Sequence, residues 1–183
     1  MAEFAGCLAC YPSGQVATRT QIRPEDYLRM SFEHEAEFVH GDIVERSMPD
    51  YIHGRIQSLI AFLFHLAAKG RPLYPCSEVR LKISENVYRI PDISVFSGSP
   101  PIERVPENPP LIIVEIVSID DRYADLMQKL EEYRTWGVHY IWVINPMTKS
   151  FASYTELGLQ NASSLTLAEY PFQLTPAELF ANL

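Results

Sequence analysis

One segment constrains the fold of this 183-residue chain more than any other. Residues 111–117 (LIIVEIV) form its most apolar stretch, in which apolar side chains follow one another instead of alternating with polar ones. A strand with this pattern is typical of one covered on both faces, as in the middle of a sheet that carries helices on either side. The segment therefore predicts an α/β fold, with a mixed central β-sheet flanked by α-helices.

Hydrophobic periodicity elsewhere in the sequence predicts the helices and the other strands. Apolar residues at helical spacing predict one helix from Tyr51 to about Gly70 and another over residues 122–137. A short helix is expected near residues 25–30 and another after Pro176. Strands are predicted over residues 73–83, 87–96, 140–144 and 150–155, near 165–167, and on both sides of a tight turn at Gly41. This order of elements agrees with a mixed α/β sheet.

The length of the chain favours one domain, because a core of this size is stable without disulfides or structural metals. Residues 1–21 show no sustained hydrophobic period and are interpreted as an N-terminal arm, with residues 22–183 as the single domain. The proline-rich stretch 97–110 is interpreted as a loop inside that domain, because strand patterns continue on both sides of it.

The charge balance excludes some partners. Fifteen Lys and Arg against 23 Asp and Glu give a net charge of −8, which opposes attraction to nucleic acid or anionic lipid by overall charge. Phosphate would have to be recognised by a local basic group, by a metal ion, or by both. Three cysteines are too few for a disulfide framework, and neither a membrane span nor a secretory signal is evident, so a cytoplasmic location is expected.

Two acidic residues stand where a core would not place them. Glu115 interrupts the apolar strand at 111–117, and Asp92 follows Pro91 inside another strand-like run. Burying an ionised carboxylate costs several kcal/mol unless a partner compensates its charge. Each residue therefore needs a cation or a hydrogen-bond network, although a purely structural salt bridge, or a strand-end position that reaches solvent, remains the alternative for both.

Lys129 lies within the apolar arc of the helix over residues 122–137, where a lysine meant only for solubility would not stand. That helix begins a few residues after Glu115 and should pack back against its strand, so the amine could reach the carboxylates. An ion pair with Asp125 on the helix surface is the structural alternative. Two carboxylates and a lysine suit metal-assisted phosphodiester hydrolysis, because Mg²⁺ prefers oxygen ligands and activates bound water.

These residues occur in an ordered set of motifs that resembles the Uma-two family of endonucleases, within the PD-(D/E)XK, restriction-endonuclease-like superfamily. The resemblance covers residues 27–154, most of the chain. The matching segments are AEFVHGDIVE (36–45), HGRI (53–56), RIPDI (89–93), VEIVS (114–118), Asp125 with Lys129 and Tyr133, GV (137–138) and YIWVINP (140–146).

The resemblance implies a Mg²⁺-dependent endonuclease, with Mn²⁺ as a substitute ion, DNA as the expected substrate and a homodimer as a plausible assembly. Asp92 and Glu115 resemble the metal-binding acidic pair, with the backbone carbonyl of Ile116 as a further ligand. The superfamily's catalytic lysine normally lies two positions after the acidic residue, where this chain has Val117. The family places it on the following helix, which corresponds to Lys129.

Several auxiliary assignments follow from the same comparison. Glu45 resembles an additional acidic residue of the site, and His53 belongs to the family's His-Gly pattern, although a local structural role at the start of a helix is an equal alternative for His53. Phosphate contacts are expected from basic side chains near the site. The candidates are Arg55, Arg80, Arg89 and Arg122.

Two other classes of function stay open. The same scaffold could serve as a non-catalytic nuclease-like module that binds nucleic acid or a protein partner, which the net charge and the displaced lysine favour. A hydrolase of small phosphoesters or sugars is the third class. Cys7 and Cys10 form a CxxC, but the only other cysteine is Cys76 and no histidine pair follows at zinc-finger spacing, so a zinc site is not expected.

Overall fold

The computed structural model describes residues 22–181 and 183. The predicted arm over residues 1–21, with its CxxC, lies outside the described residues, so the domain boundary at residue 22 stays a prediction.

The helices are α1 (Pro24–Tyr27), α2 (Tyr51–Ala68), α3 (Tyr123–Trp136) and α4 (Pro176–Phe180). The strands are β1 (Ala36–Val39), β2 (Asp42–Glu45), β3 (Leu73–Ser77), β4 (Leu81–Ser84), β5 (Val87–Arg89), β6 (Ile93–Ser97), β7 (Ile112–Ile116), β8 (Tyr140–Asn145), β9 (Ser150–Thr155), β10 (Gly158–Ala162), β11 (Leu165–Leu167) and β12 (Phe172–Leu174).

A six-stranded mixed sheet in the order β10-β9-β8-β7-β6-β3 forms the centre of the molecule. β7 lies in its interior with all five residues buried, as the unbroken apolar run predicts. α2 packs on one face, where Ile56, Ile60 and Phe64 meet the apolar side chains of β6, β7 and β8. α3 packs on the other face through Leu130 and Tyr133.

The direction of β7 explains the position of α3. β7 and β8 are parallel, and two adjacent parallel strands need a crossover that returns the chain to the starting edge. α3 is that crossover. Gly137 ends it in the left-handed region at φ 109°, where its N–H donates to the carbonyls of Tyr133 and Arg134. The helix therefore begins beside the end of β7, directly above the face that carries Glu115.

A second sheet, in the order β2-β1-β5-β4, lies beside the first. β1 and β2 form a hairpin whose two turn residues, His40 (φ 51°) and Gly41 (φ 94°), both have positive φ, as the type I′ turn of a two-residue hairpin requires. β11 and β12 form a small third sheet near the C-terminus. No helix in the part of the chain that the structure describes has the length and apolarity to cross a membrane.

Two strand predictions were wrong in the same way. Residues 73–83 form two strands, β3 in the central sheet and β4 in the second sheet, separated near Glu78 at φ 53°. Residues 87–96 likewise divide into β5 and β6, because Pro91 has no N–H to donate to a sheet ladder and the chain changes sheets there. β10 and β12 were not predicted at all. The second division has a functional consequence, since it places Asp92 at the junction of the two sheets.

Candidate active site

The two acidic residues singled out from the sequence lie side by side, Asp92 directly before β6 and Glu115 in the neighbouring β7. Ile93 in β6 is opposite Val114 in the antiparallel β7, so Asp92 and Glu115 follow as the next cross-strand neighbours. The Ile116 N–H donates to Oδ2 of Asp92 at 2.7 Å, which fixes that carboxylate against β7. Both carboxylates line a cavity of about 220 Å³ that opens between the two sheets and the N-terminal turn of α3, here called the active-site cavity.

The Asp92 carboxylate is held by donors on both oxygens. Oδ1 accepts from Nη2 of Arg46 at 2.5 Å and lies 3.2 Å from Nε2 of His53, while Oδ2 accepts from the Ile116 backbone. Burial by itself would raise the pKa of Asp92, but the hydrogen bond from His53 and the charge of Arg46 outweigh it and hold that pKa below its usual range. Asp92 is therefore an ionised carboxylate at neutral pH although it is only 1% exposed.

Glu115 has a weaker set of partners. The Tyr133 hydroxyl donates to its Oε1 at 2.7 Å, and Nζ of Lys129 lies 3.7 Å from its Oε2. Burial, together with the negative charges of Asp92 and Glu37, raises the pKa of Glu115 to about 7, and the ammonium of Lys129 offsets only part of that rise. Burial and the neighbouring negative charges destabilise the ionised form of Glu115, so a further cation beside this carboxyl group would stabilise it.

Lys129 points from α3 into the active-site cavity, where it lies between two carboxylates. Its Nζ is 3.1 Å from Oε1 of Glu37 and 3.7 Å from Oε2 of Glu115, so the pairing with Asp125 weighed as an alternative is not what the structure shows. Burial alone would lower the pKa of Lys129, but the two carboxylates raise it above its ordinary value. The lysine is therefore an ammonium, a fixed positive charge rather than a proton acceptor.

Glu37 is the main residue that sequence reasoning missed. It lies in β1 and is only 2% exposed; its Oε1 accepts from the Ile90 N–H at 2.9 Å and its Oε2 from Nη1 of Arg89 at 2.8 Å. Its pattern could have revealed it, since an acidic residue between Ala36 and Phe38 in a buried strand satisfies the criterion applied to Glu115. Arg46 was also missed, and its sequence neighbourhood carries no such signal because its partner is 46 positions away.

The two auxiliary residues, His53 and Glu45, lie at different depths in the site. The backbone N–H of His53 donates to the capping Asp50 carboxylate at the start of α2, and its ring contacts Asp92, so the structural role is present and the auxiliary role in the site stays a prediction. Burial lowers the pKa of His53, but its hydrogen bond to Asp92 outweighs that and leaves the pKa raised. Glu45 lies at the exposed end of β2 and lines the mouth of the active-site cavity.

One expected phosphate contact was wrong. The side chain of Arg89 is only 6% exposed and is already bound, through Nε and Nη2 to the two carboxylate oxygens of Glu132 at 2.7 and 3.0 Å and through Nη1 to Glu37. Buried in these contacts, it is not placed to reach a substrate. Its role is to hold Glu37, which in turn contacts Lys129. Arg122 does line the active-site cavity and stays exposed.

The donor set suits a hard divalent cation. Asp92 and Glu115 offer carboxylate oxygens, and Ile116 lies at the same cavity. Burial, followed by the charges of Asp92 and Glu37, raises the pKa of Glu115, and a bound cation would oppose that rise. Within residues 22–181 and 183, however, no three His, Cys, Asp or Glu side chains are grouped so that they could hold a metal ion as they stand. Arg46 also occupies Oδ1 of Asp92, so a cation could bind that oxygen only after Arg46 moves away.

The mixed sheet, with an acidic pair side by side where β6 begins and β7 ends, has the architecture of the restriction-endonuclease-like class of α/β proteins, and the lysine comes from the next helix. Comparison with known proteins agrees. The model of the Uma2 family, described as "Putative restriction endonuclease", matches residues 24–180, and the chain belongs to that family. The resemblance noted in the sequence is thereby confirmed.

Solved structures support the fold independently. One of five matching chains is the crystal structure of "a putative nuclease belonging to DUF820 from Anabaena variabilis ATCC 29413". It is 21% identical, the match covers 87% of this chain and 98% of that one, and the TM-score is 0.78. This likeness confirms the predicted restriction-endonuclease-like architecture. No protein of curated function matches the chain.

The raised pKa of Glu115 predicts how stability depends on pH without added metal. Below pH 4.5, its ordinary pKa, Glu115 is protonated both folded and unfolded; as pH rises towards 7, only the unfolded chain loses that proton, so the free energy of unfolding falls. The expected total is on the order of 3 kcal/mol, and it should be absent from Glu115→Gln. Urea denaturation of both proteins from pH 4.5 to 8 measures the difference, in which the His53 contribution cancels. Parallel stability curves would contradict the assignment.

Proposed function

We propose that this chain is a Mg²⁺-dependent endonuclease that hydrolyses phosphodiester bonds, with DNA as the expected substrate. The observation that carries the proposal is the convergence of Asp92, Glu115 and Lys129 on one cavity from three separate segments of the chain. Lys129 is shared between Glu37 and Glu115, and Glu115 keeps a pKa of about 7 although that ammonium lies 3.7 Å from it.

The role proposed for each residue of the site follows from its charge and its partners. Asp92 and Glu115 would hold the cation, with the Ile116 carbonyl as a third oxygen ligand, and the bound ion supplies Lewis-acid activation of water and phosphate. The Tyr133 hydroxyl orients Glu115. Lys129 is held by Glu37 where its ammonium can stabilise negative charge that develops on the phosphate during attack.

The proposal requires Arg46 to leave Asp92 when a cation binds there. With Arg46 on Asp92 the carboxylate is neutralised by protein, and with Arg46 displaced the carboxylate is available to a cation. A guanidinium released into a site that binds a phosphodiester can donate two parallel hydrogen bonds to phosphate oxygens, which is the geometry that arginine favours. Arg46 is therefore assigned to phosphate binding in the loaded site.

The test is cleavage of plasmid and oligonucleotide substrates with Mg²⁺, with Mn²⁺ and with chelator. Cleavage is expected with either ion and not with chelator. Lys129→Met should lower the rate about 100-fold or more, because it removes a charge that stabilises the transition state. Lys69→Met, the same substitution at an exposed position after α2, should leave the rate unchanged. Cleavage that survives chelation, or equal rates in the two variants, would contradict the proposal.

A non-catalytic module that binds nucleic acid or a protein partner is the second candidate. The favouring observation is that both oxygens of Asp92 already have protein donors, so the folded site is electrostatically complete there without an ion. In that case metal would neither promote cleavage nor stabilise the chain. A homodimer stays a prediction for either function; for the nuclease it would supply the second cut that duplex cleavage requires.

A further inference from the structure

A second cavity, of about 530 Å³, lies beside the active-site cavity on the other side of the N-terminal turn of α3. The two cavities share Asp121, Arg122 and Leu126, so one continuous ligand could occupy both. We call the second one the side cavity. Its floor is the face of β8, β9 and β10 that α3 leaves uncovered, and its volume lies in the range of small-ligand sites.

The strand register fixes the distance between the floor of the side cavity and Glu115. Glu115 is opposite Val143, Val143 is opposite Ala152, and Ala152 is opposite Asn161, so these four side chains form one cross-strand row on one face of the sheet. With strands about 4.8 Å apart, Ala152 lies roughly 10 Å from Glu115. A group bound over Ala152 is therefore about one nucleotide away from a phosphate at Glu115.

The lining of the side cavity suits a flat, uncharged, polar-edged ring. Val143, Ala152 and Leu159 provide an apolar floor, and Asn161 at its far end carries an amide that can both donate and accept hydrogen bonds. Asn145 also lines the cavity; its Oδ1 already accepts from two backbone N–H groups of its own turn, so it can offer a ligand only its amide donor. An apolar surface with a few placed amides is the chemistry that recognises a base.

Tyr123 supplies an aromatic surface at the rim. It is the first residue of α3 and was predicted on the apolar face of the helix, yet 68% of it is exposed, beside the side cavity that it lines. Bases stack on exposed aromatic rings of this kind in proteins that bind single strands. The charged groups at this end, Asp121 and Arg122, give no net positive charge to attract a second phosphate.

We propose that the side cavity binds one unstacked nucleobase of the substrate strand, next to the phosphodiester held at Asp92 and Glu115, with Tyr123 as its stacking partner. The inference rests on the proposed nuclease function and deepens it. A base inside a duplex cannot enter such a cavity without leaving its stack. The preferred substrate is therefore a single-stranded or locally unpaired region of nucleic acid rather than a continuous duplex.

Binding measured without metal tests the side cavity apart from catalysis. The probes are fluorescent oligodeoxyadenylate and an abasic oligomer of the same length and charge, titrated in chelator and followed by anisotropy. The wild-type chain should bind the base-containing strand at least about fivefold more tightly, and Tyr123→Ala should remove this preference. Tyr123→Phe should keep it, because stacking needs the ring and not the hydroxyl. Tyr51→Ala, at a tyrosine that is 78% exposed and does not line the side cavity, should also keep it.

The outcomes separate this inference from the proposed function. Equal affinity for the two oligomers, no measurable binding of either, or equal losses in Tyr123→Ala and Tyr51→Ala would each overturn the side-cavity proposal. Metal-dependent cleavage of both base-containing and abasic strands at equal rates would overturn it while leaving the nuclease intact. Base-dependent binding without cleavage in the presence of any metal would instead overturn the proposed nuclease function and support the side-cavity proposal.

Discussion

Replacing Glu115 with glutamine is expected to lower the cleavage rate about 1,000-fold or more while leaving the chain at least as stable as wild type at pH 8. The loss of rate follows because a metal ion contributes several kcal/mol to the reaction and glutamine replaces a charged ligand with a neutral one. The gain in stability follows because glutamine can still accept from the Tyr133 hydroxyl and carries no buried charge to be destabilised.

The measurements for this first prediction are single-turnover cleavage and urea denaturation on the same preparations. Glu131→Gln is the matched control, because Glu131 lies on the outer side of α3 in an ion pair with Arg134 and should change neither quantity by much. Asp92→Asn should lose activity equally but be less stable than wild type, since Arg46 and His53 both lose the negative charge of Asp92. An active Glu115→Gln protein would remove Glu115 from the reaction.

Arg89→Met is expected to lower the free energy of unfolding by about 3–5 kcal/mol. The substitution removes the guanidinium that pairs with both the buried Glu37 and the largely buried Glu132, and leaves Glu37 with Lys129 as its remaining cation. Removing one partner from a buried ion-pair network costs this much. Because Glu37 also fixes Lys129, cleavage by the remaining folded protein should fall as well. Equilibrium denaturation and single-turnover rates measure the two effects separately.

Arg134→Met tests whether burial, rather than the ion pair itself, causes that loss. Arg134 donates to Glu131 with distances of 2.6 and 2.8 Å, as short as those of Arg89, and this hydrogen bond lowers the pKa of Glu131 to about 2. The pair is exposed to water, however, so solvent and salt screen it and its removal should barely change stability. Equal losses from Arg89→Met and Arg134→Met would contradict the account of the buried network.

The sequence was sufficient for the central layer because the relevant signals there are local. A run of apolar residues predicted a buried β7, and helical spacing placed Lys129 on the inner side of α3, where the structure has it. The same spacing misplaced Tyr123, which belongs to the apolar arc but lies beyond the edge of the packed interface. A helix pattern gives the direction of a side chain and not the extent of the surface that covers it.

The remainder of the candidate site depends on contacts between distant segments. Glu37 and Arg46 reach the active-site cavity only because the second sheet lies beside the first, and the pairing of β1 with β5 joins residues about 50 positions apart. The change of sheet at Pro91, which places Asp92 at the junction, could not be seen as long as residues 87–96 were interpreted as a single strand. These are tertiary arrangements that hydrophobic periodicity does not encode.

A crystal structure of the chain soaked in Mn²⁺, with anomalous scattering recorded, tests the central claim most directly. The account predicts an anomalous peak about 2 Å from carboxylate oxygens of both Asp92 and Glu115, with the Arg46 guanidinium moved off Asp92 and the Lys129 amine still on Glu37. A map in which Arg46 remains on Asp92 and no peak lies at either carboxylate would contradict it.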